Sequence, residues 1–439
     1  MSYHPELLPL LESVSLWADL RHEQGVDTAA IIKRLRKELK EARKALVKTE
    51  PGKKALAREP NALGKIRALR PVGPRRYWDS LQIEGLENRL LGAWLGRAAG
   101  CTLGVPVENW SIEAMESLAQ KGGMDFPPTD YWRTHPQPDE IRYGKDPMGH
   151  YLRGQIEAVP VDDDLTYTLL GLLILETYGP AFTTEQVGEA WLKYLPMACT
   201  AEEVALENLR NGCPAKKSGV KNNPFQEWIG ADIRSDPWGY TAPGWPEKAA
   251  ELAYRDAHLS HRQNGIYGAM YFSAAIAAAF ALDSPVAALE AGLSEIPADC
   301  RLARDLRWAL ETGGQLKGWR EGREAVDARF SRMHSVHTNN NACLTVFGLM
   351  LGGDDFTKTV GTTVALGLDN DCTAATAGSI FGAVYGIGAI PEHWWRPFDG
   401  RTRTYMNGQE WFENAEVVAR FLGMAKRVWE GRQDACVTG

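Results

Sequence analysis

Hydrophobic positions along this chain keep helical spacing, and nowhere is the strict alternation of a half-buried strand sustained. Residues 6–20 and 27–49 read as two amphipathic helices. In the second, Ile32, Leu35, Leu39, Ala42 and Leu46 share one face while Lys and Arg crowd the other. Pro/Gly breaks near 51 and 71 make 50–80 a linker or an extended strap. From 90 to 104 the glycines Gly92, Gly96, Gly100 and Gly104 recur four apart, on one helical face. Each costs a helix about 0.8–1 kcal/mol relative to Ala, so close approach of another helix is the expected return. Pro106 then ends the helix and Glu108 follows. An irregular stretch over 119–160, rich in Pro, Gly, Tyr and Asp, has the length of a functional loop or lid. An apolar helix at 169–176 comes next, and further helices are predicted at 184–195, 201–210, 246–257, 269–282, 285–293, 301–313, 319–333 and 343–351. Residues 372–386 are rich in Ala, Gly, Ser and Thr, a helix too slender to hold a neighbour at normal distance. The predicted fold is all-α: a compact many-helix bundle over 81–439 with an appended N-terminal helical extension and linker over 1–80.

Composition changes this picture little. With 439 residues and 44% hydrophobic content the chain can bury a large core. A net charge of −7 argues against nucleic acid or an anionic membrane as general partners. Residues 1–85 carry 17 Lys and Arg against 11 Asp and Glu, so the acidic excess lies wholly downstream. The basic face near the N-terminus reads as a solvated surface, with an anionic partner as the alternative. Seven cysteines without a C-x-x-C pair suggest neither a disulfide framework nor a zinc knuckle. Residues 1–5 do not open a signal peptide, and the apolar runs 169–175 and 274–282 are too short to span a bilayer. A cytoplasmic address is expected. Neither G-x-G-x-x-G nor a P-loop occurs.

Charge placement says more. Asp369 and Asp371 stand two apart at the head of the slender helix, where the positive end of the helix dipole favours them. They repel each other unless a proton or a cation intervenes. Taken alone, such a pair reads as an N-cap and first-turn acid, Glu108 as a surface glutamate, and His261 as a capping or core histidine. The second cluster, Asp162-Asp163-Asp164, leads into a buried helix and is costly unless neutralised. Two such clusters point to a hard divalent cation with oxygen ligands.

Three segments then resemble the ADP-ribosylglycohydrolase family in order and spacing over about 86–429. Gly100-Cys101-Thr102-Leu103-Gly104-Val105-Pro106-Val107-Glu108 is similar to its Gly-Asp-Ala-Leu-Gly-x-Pro-x-Glu. Asp162-Asp163-Asp164-Leu165 matches Thr-Asp-Asp-Thr, and Gly367-Leu368-Asp369-Asn370-Asp371-Cys372 matches Gly-Gly-Asp-x-Asp-Thr. The Gly230–Gly239 turn and Leu259-Ser260-His261 resemble two lesser motifs. Departures are Asp162 for Thr, Cys372 for Thr or Ser, and Cys101 for Asp. The resemblance implies hydrolysis at C1 of an ADP-ribosyl unit on a protein or small molecule. One or two Mg²⁺ or Mn²⁺ ions would be held by Asp162, Asp163, Asp164, Asp369 and Asp371, with Glu108 or Asp369 moving the proton. His261, Asn339, Gly230 and Arg234 would line the ribose and phosphate pocket. Tyr240, Trp238 and the aromatics of 126–132 would stack on the base. The alternatives are a nucleoside-type N-ribosyl hydrolase and a non-catalytic ADP-ribose- or metal-binding protein.

Overall fold

A computed structural model describes residues 3–431. The architecture is all-α: among the described residues the only strands form two short hairpins, one pairing Ile141–Arg142 with Asp146–Pro147 and one pairing Arg401–Met406 with Gln409–Glu413. Two compact units are present. One runs to Ala57 and includes Phe330–His334; the other runs Arg58–Arg329 and resumes at Ser335. In the first, helices Leu7–Glu23 and Ala29–Lys48 have no fully buried residue.

The stretch 58–80 belongs to the larger unit. Arg70 bonds Glu295 and, at 2.9 Å, Glu247. Arg75 reaches Glu295 at 3.0 Å, and Tyr77 donates its N–H to the Gly244 carbonyl at 2.8 Å. It is a strap bound by ion pairs to distant residues.

At the centre, helix Leu86–Gly104 lies along helix Asn370–Tyr385 with backbone against backbone. A methyl group at Gly100 would run into the Ala374 carbonyl, at Gly96 into that of Gly378, and at Gly92 would sit 2.6 Å from the Gly386 carbonyl carbon. The predicted close approach is this seam. Gly104 meets the backbone of Asp371, so the end of one helix coincides with the start of the other. The first helix, extended to Val107, is long and apolar enough to cross a membrane, contrary to the estimate from unbroken apolar runs. Yet 94% of its apolar window is buried inside the fold, as befits a core helix.

Candidate active site

Both acidic clusters sit at the N-termini of buried helices. Asp162 is the N-cap of helix Asp163–Tyr178, and its Oδ1 accepts the Asp164 N–H at 3.0 Å. Asp369 is the N-cap of helix Asn370–Tyr385 but makes no side-chain capping bond, so its carboxylate remains available. The chain reaches Asp369 through two consecutive left-handed residues, Gly367 (φ 74°) and Leu368 (φ 63°). For Leu that conformation is strained by about 1–2 kcal/mol. The Leu368 carbonyl accepts the Asn109 N–H at 2.9 Å, fastening the turn after Glu108 to the turn before Asp369. Asn341 Oδ1 accepts the Asp369 N–H at 3.2 Å.

The clusters, so distant in sequence, meet. Ligand atoms of Glu108, Asp369 and Asp371 lie within 4.8 Å of one another, as do those of Asp164, Asp371 and Cys372, and those of Cys101, Asp162 and Asp164. Arg142 enters this group. Its Nη1 donates to Glu108 Oε2 at 2.9 Å, its Nε to Asp162 Oδ2 at 3.0 Å, and its Nη2 to Asp371 Oδ2 at 3.1 Å. On the far side Arg97 bonds Asp164 Oδ1 at 3.0 Å and pairs with Asp236 at 2.7 Å. Asp164 Oδ2 and Asp371 Oδ1 are buried without a hydrogen-bond donor.

Burial, and behind it the neighbouring acids, drives Asp163, Asp164 and Asp371 well above the ordinary carboxylate range. Asp369 is pushed up to about 7 by burial and then Glu108. Burial also pushes the Cys101 and Cys372 thiols up, with nearby acids adding to it. A protonated thiol is a poor ligand for a hard cation. The unpartnered carboxylate oxygens therefore fit a divalent ion, and the thiols beside them do not contribute.

Glu108, Asp163, Asp369, Asp371 and Gly230 line one cavity of ≈ 110 Å³, with Asp162 and Asp164 buried beneath it. Gly230 is required by closeness: a side chain there would strike the Glu202 carboxylate. Arg234 lies under this floor, bonded to Glu202 at 2.6 Å, Asp256 at 2.5 Å and Ser260 Oγ at 2.7 Å. His261 is fully buried beside it, its Nδ1 2.8 Å from Ser260 Oγ, and burial followed by Arg234 holds it neutral. Arg234 and His261 thus brace the pocket without lining it.

Three expectations are corrected. Tyr240 is fully buried, its hydroxyl 2.8 Å from Ser379 Oγ and its ring edge-on to Phe421. Trp238 packs on Phe182, Tyr131 on Trp394 and Phe126 on Trp319, while Trp132 donates to the Leu103 carbonyl at 2.9 Å. These rings fill the space that small-residue helices leave around them. Asn339 spends its amide on Asp305 at 2.8 Å and does not line the cavity; its neighbour Asn341 is the one that touches Asp369. Sequence reading missed Arg142, Tyr143, Tyr167, Glu202 and Trp228, all on the cavity wall. Only the irregular 119–160 stretch, flagged as a functional loop, hinted at the first two.

The family model described as ADP-ribosylglycohydrolase matches residues 83–436. An uncharacterized protein of Archaeoglobus fulgidus is 28% identical over 317 residues, covering 70% of this chain and 91% of that protein. A solved structure described as an ADP-ribosylglycohydrolase-related protein complex superposes with a TM-score of 0.54 at 21% identity, over 79% of this chain and 99% of that one. That likeness is one of fold.

Proposed function

The chain belongs to the ADP-ribosylglycohydrolase family, and from that premise we propose that it hydrolyses the C1 glycosidic bond of an ADP-ribosyl unit. The observation that carries this is the convergence of Glu108, Asp369 and Asp371 on one cavity, with Asp164 Oδ2 and Asp371 Oδ1 buried and unpartnered at its base. Asp164, Asp369 and Asp371 would hold a divalent ion, Mg²⁺ or Mn²⁺. When bound, such an ion supplies Lewis acidity toward a hydroxyl or water oxygen.

The chain's own residues do the rest. Glycoside hydrolysis needs an oxocarbenium-like centre stabilised and a water relieved of its proton. The surplus of carboxylates around the cavity favours positive charge developing on the ribose. Burial and Glu108 raise Asp369; a bound cation would lower it again and favour the ionised form that can take a proton. Glu108, half-buried and held by Arg142 and Asn109, is the second candidate for that role. Trp228, Tyr143 and Tyr167 give the cavity flat apolar walls for a ribose or base.

The test is release of ADP-ribose from ADP-ribosylated arginine, serine and small-molecule acceptors, beside a panel of nucleosides. ADP-ribose release that Asp369→Asn abolishes is expected. Turnover of nucleosides alone, or tight ADP-ribose binding with no turnover of any substrate, would overturn the proposal.

A further inference from the structure

Arg142 stands where three acids from three separate elements converge. Glu108 follows the glycine helix, Asp162 caps the helix at 163, and Asp371 lies in the first turn of the helix at 370. One guanidinium bridges all three at 2.9–3.1 Å. Its delocalised charge and fixed fork of N–H donors can satisfy several carboxylates at once, as an ammonium cannot. Both Asp162 oxygens are already engaged, Oδ1 by the helix cap and Oδ2 by Arg142. Asp371 keeps one, Oδ1, and Asp164 keeps Oδ2.

The fold holds Arg142 in place. It sits at the mouth of the hairpin pairing Ile141–Arg142 with Asp146–Pro147, beside a turn in which Tyr143 (φ 50°) and Gly144 (φ 66°) are left-handed. Asp146 pins that hairpin: it accepts the Val161 N–H at 2.8 Å and pairs with Arg403 at 2.5 Å while only 2% exposed. The Arg142 guanidinium lies 5.0 Å from the centre of the Tyr143 ring, which in turn packs 5.1 Å from Tyr405. This is a braced side chain, not the tip of a free loop.

We infer that Arg142 is a resident cation that fills one of two positive-charge positions in the acidic site, leaving room for a single divalent ion toward Asp164 and Asp371. The inference rests on the proposed function in taking that second position as the metal's. It also gives Arg142 a positioning task, because a guanidinium has no open coordination place for water and can only hold Glu108, Asp162 and Asp371 in register.

The experiment is Mn²⁺ loading of the full chain, read by elemental analysis and by electron paramagnetic resonance. Wild type should hold one Mn²⁺ per chain with the spectrum of an isolated ion. Arg142→Ala should hold two, with an exchange-coupled spectrum, and Arg142→Lys should stay at one. If Arg142→Ala fails to fold by circular dichroism, Arg142→Met keeps the apolar stem and carries the same expectation. Two ions in wild type, or one in both Arg142→Ala and Arg142→Met, would overturn the inference and leave the proposed hydrolase standing. No bound Mn²⁺ in wild type or in any variant would sink both the inference and the metal in the proposed function.

Discussion

Two arginines, the half-buried Arg142 and the fully buried Arg234, are each ringed by acids, and they differ in how the account closes. Arg234 has Glu202 and Asp256 within 2.6 Å, Ser260 beside them, and the rings of Trp191 and Tyr167 at 4.9 and 5.5 Å. The Arg234 guanidinium is buried and does not line the cavity, although Glu202 reaches its wall. Arg142 holds three carboxylates, yet Asp163, Asp369 and one oxygen each of Asp164 and Asp371 remain in excess around an open cavity. A guanidinium enclosed by its acids braces the fold; a cluster of perturbed carboxylates in excess around a cavity marks a candidate site.

The contrast breaks first at its structural end. Arg234→Ala leaves two buried carboxylates unpaired and should cost about 3–5 kcal/mol of unfolding free energy, measured by urea titration; a loss under about 1 kcal/mol would mean the two networks are alike. Asp371→Ala should do the opposite. Turnover is expected to fall ~10³-fold or more, about 4 kcal/mol of barrier, while the melting temperature holds or rises because like-charge repulsion is relieved. A destabilised Asp371→Ala that keeps its turnover would reverse the assignment.

Smaller effects sharpen it. Saturating Mg²⁺ or Mn²⁺ at about a hundredfold over the dissociation constant should stabilise wild type by about 2.7 kcal/mol. Calorimetry should find that increment intact in Arg234→Lys, if it folds, and absent in Asp371→Ala. The last test is pH. Burial pushes Glu202 from its ordinary 4.5 up to about 7 despite Arg234. The native state therefore binds the extra proton, so this contribution is full below about 4.5 and is lost as pH rises to about 7. Wild type should lose stability relative to Glu202→Gln across that window; a difference that stays flat with pH would show that Glu202 is ionised throughout.

Parts of this site are legible in the chain because they repeat. Four glycines at a spacing of four announce a helical seam, and acids at the head of an apolar run announce a cluster. Arg142 carries no such mark: it is one arginine in an aperiodic stretch, and its partners lie 20, 34 and 229 residues away. Aromatic residues mislead for a different reason, since Tyr240 and Trp238 are the same residue types whether they stack on a base or fill a core. The strap is half legible in its composition. Proline and glycine read as a linker or an extended strap, and nothing in them says that Arg70 answers to acids 177 and 225 residues on. Cutting at residue 80 would leave Glu295 buried without its two arginines. A chain beginning at 58 is accordingly expected to melt several degrees above one beginning at 81, and equal melting would show the strap to be dispensable.

The glycine seam has one more effect. Where Gly104 rests on the backbone of Asp371, no side chain stands between the two helices, so no rotamer change can alter their separation. The spacing of the two helix ends beside Glu108 and Asp371 is set by main-chain van der Waals contact, as the gap of a vice is set by its jaws. Residues on the jaws can be exchanged, a thiol for a carboxylate at 101 or for a hydroxyl at 372, without moving the jaws themselves. The scaffold keeps its dimensions while its chemistry is open to revision.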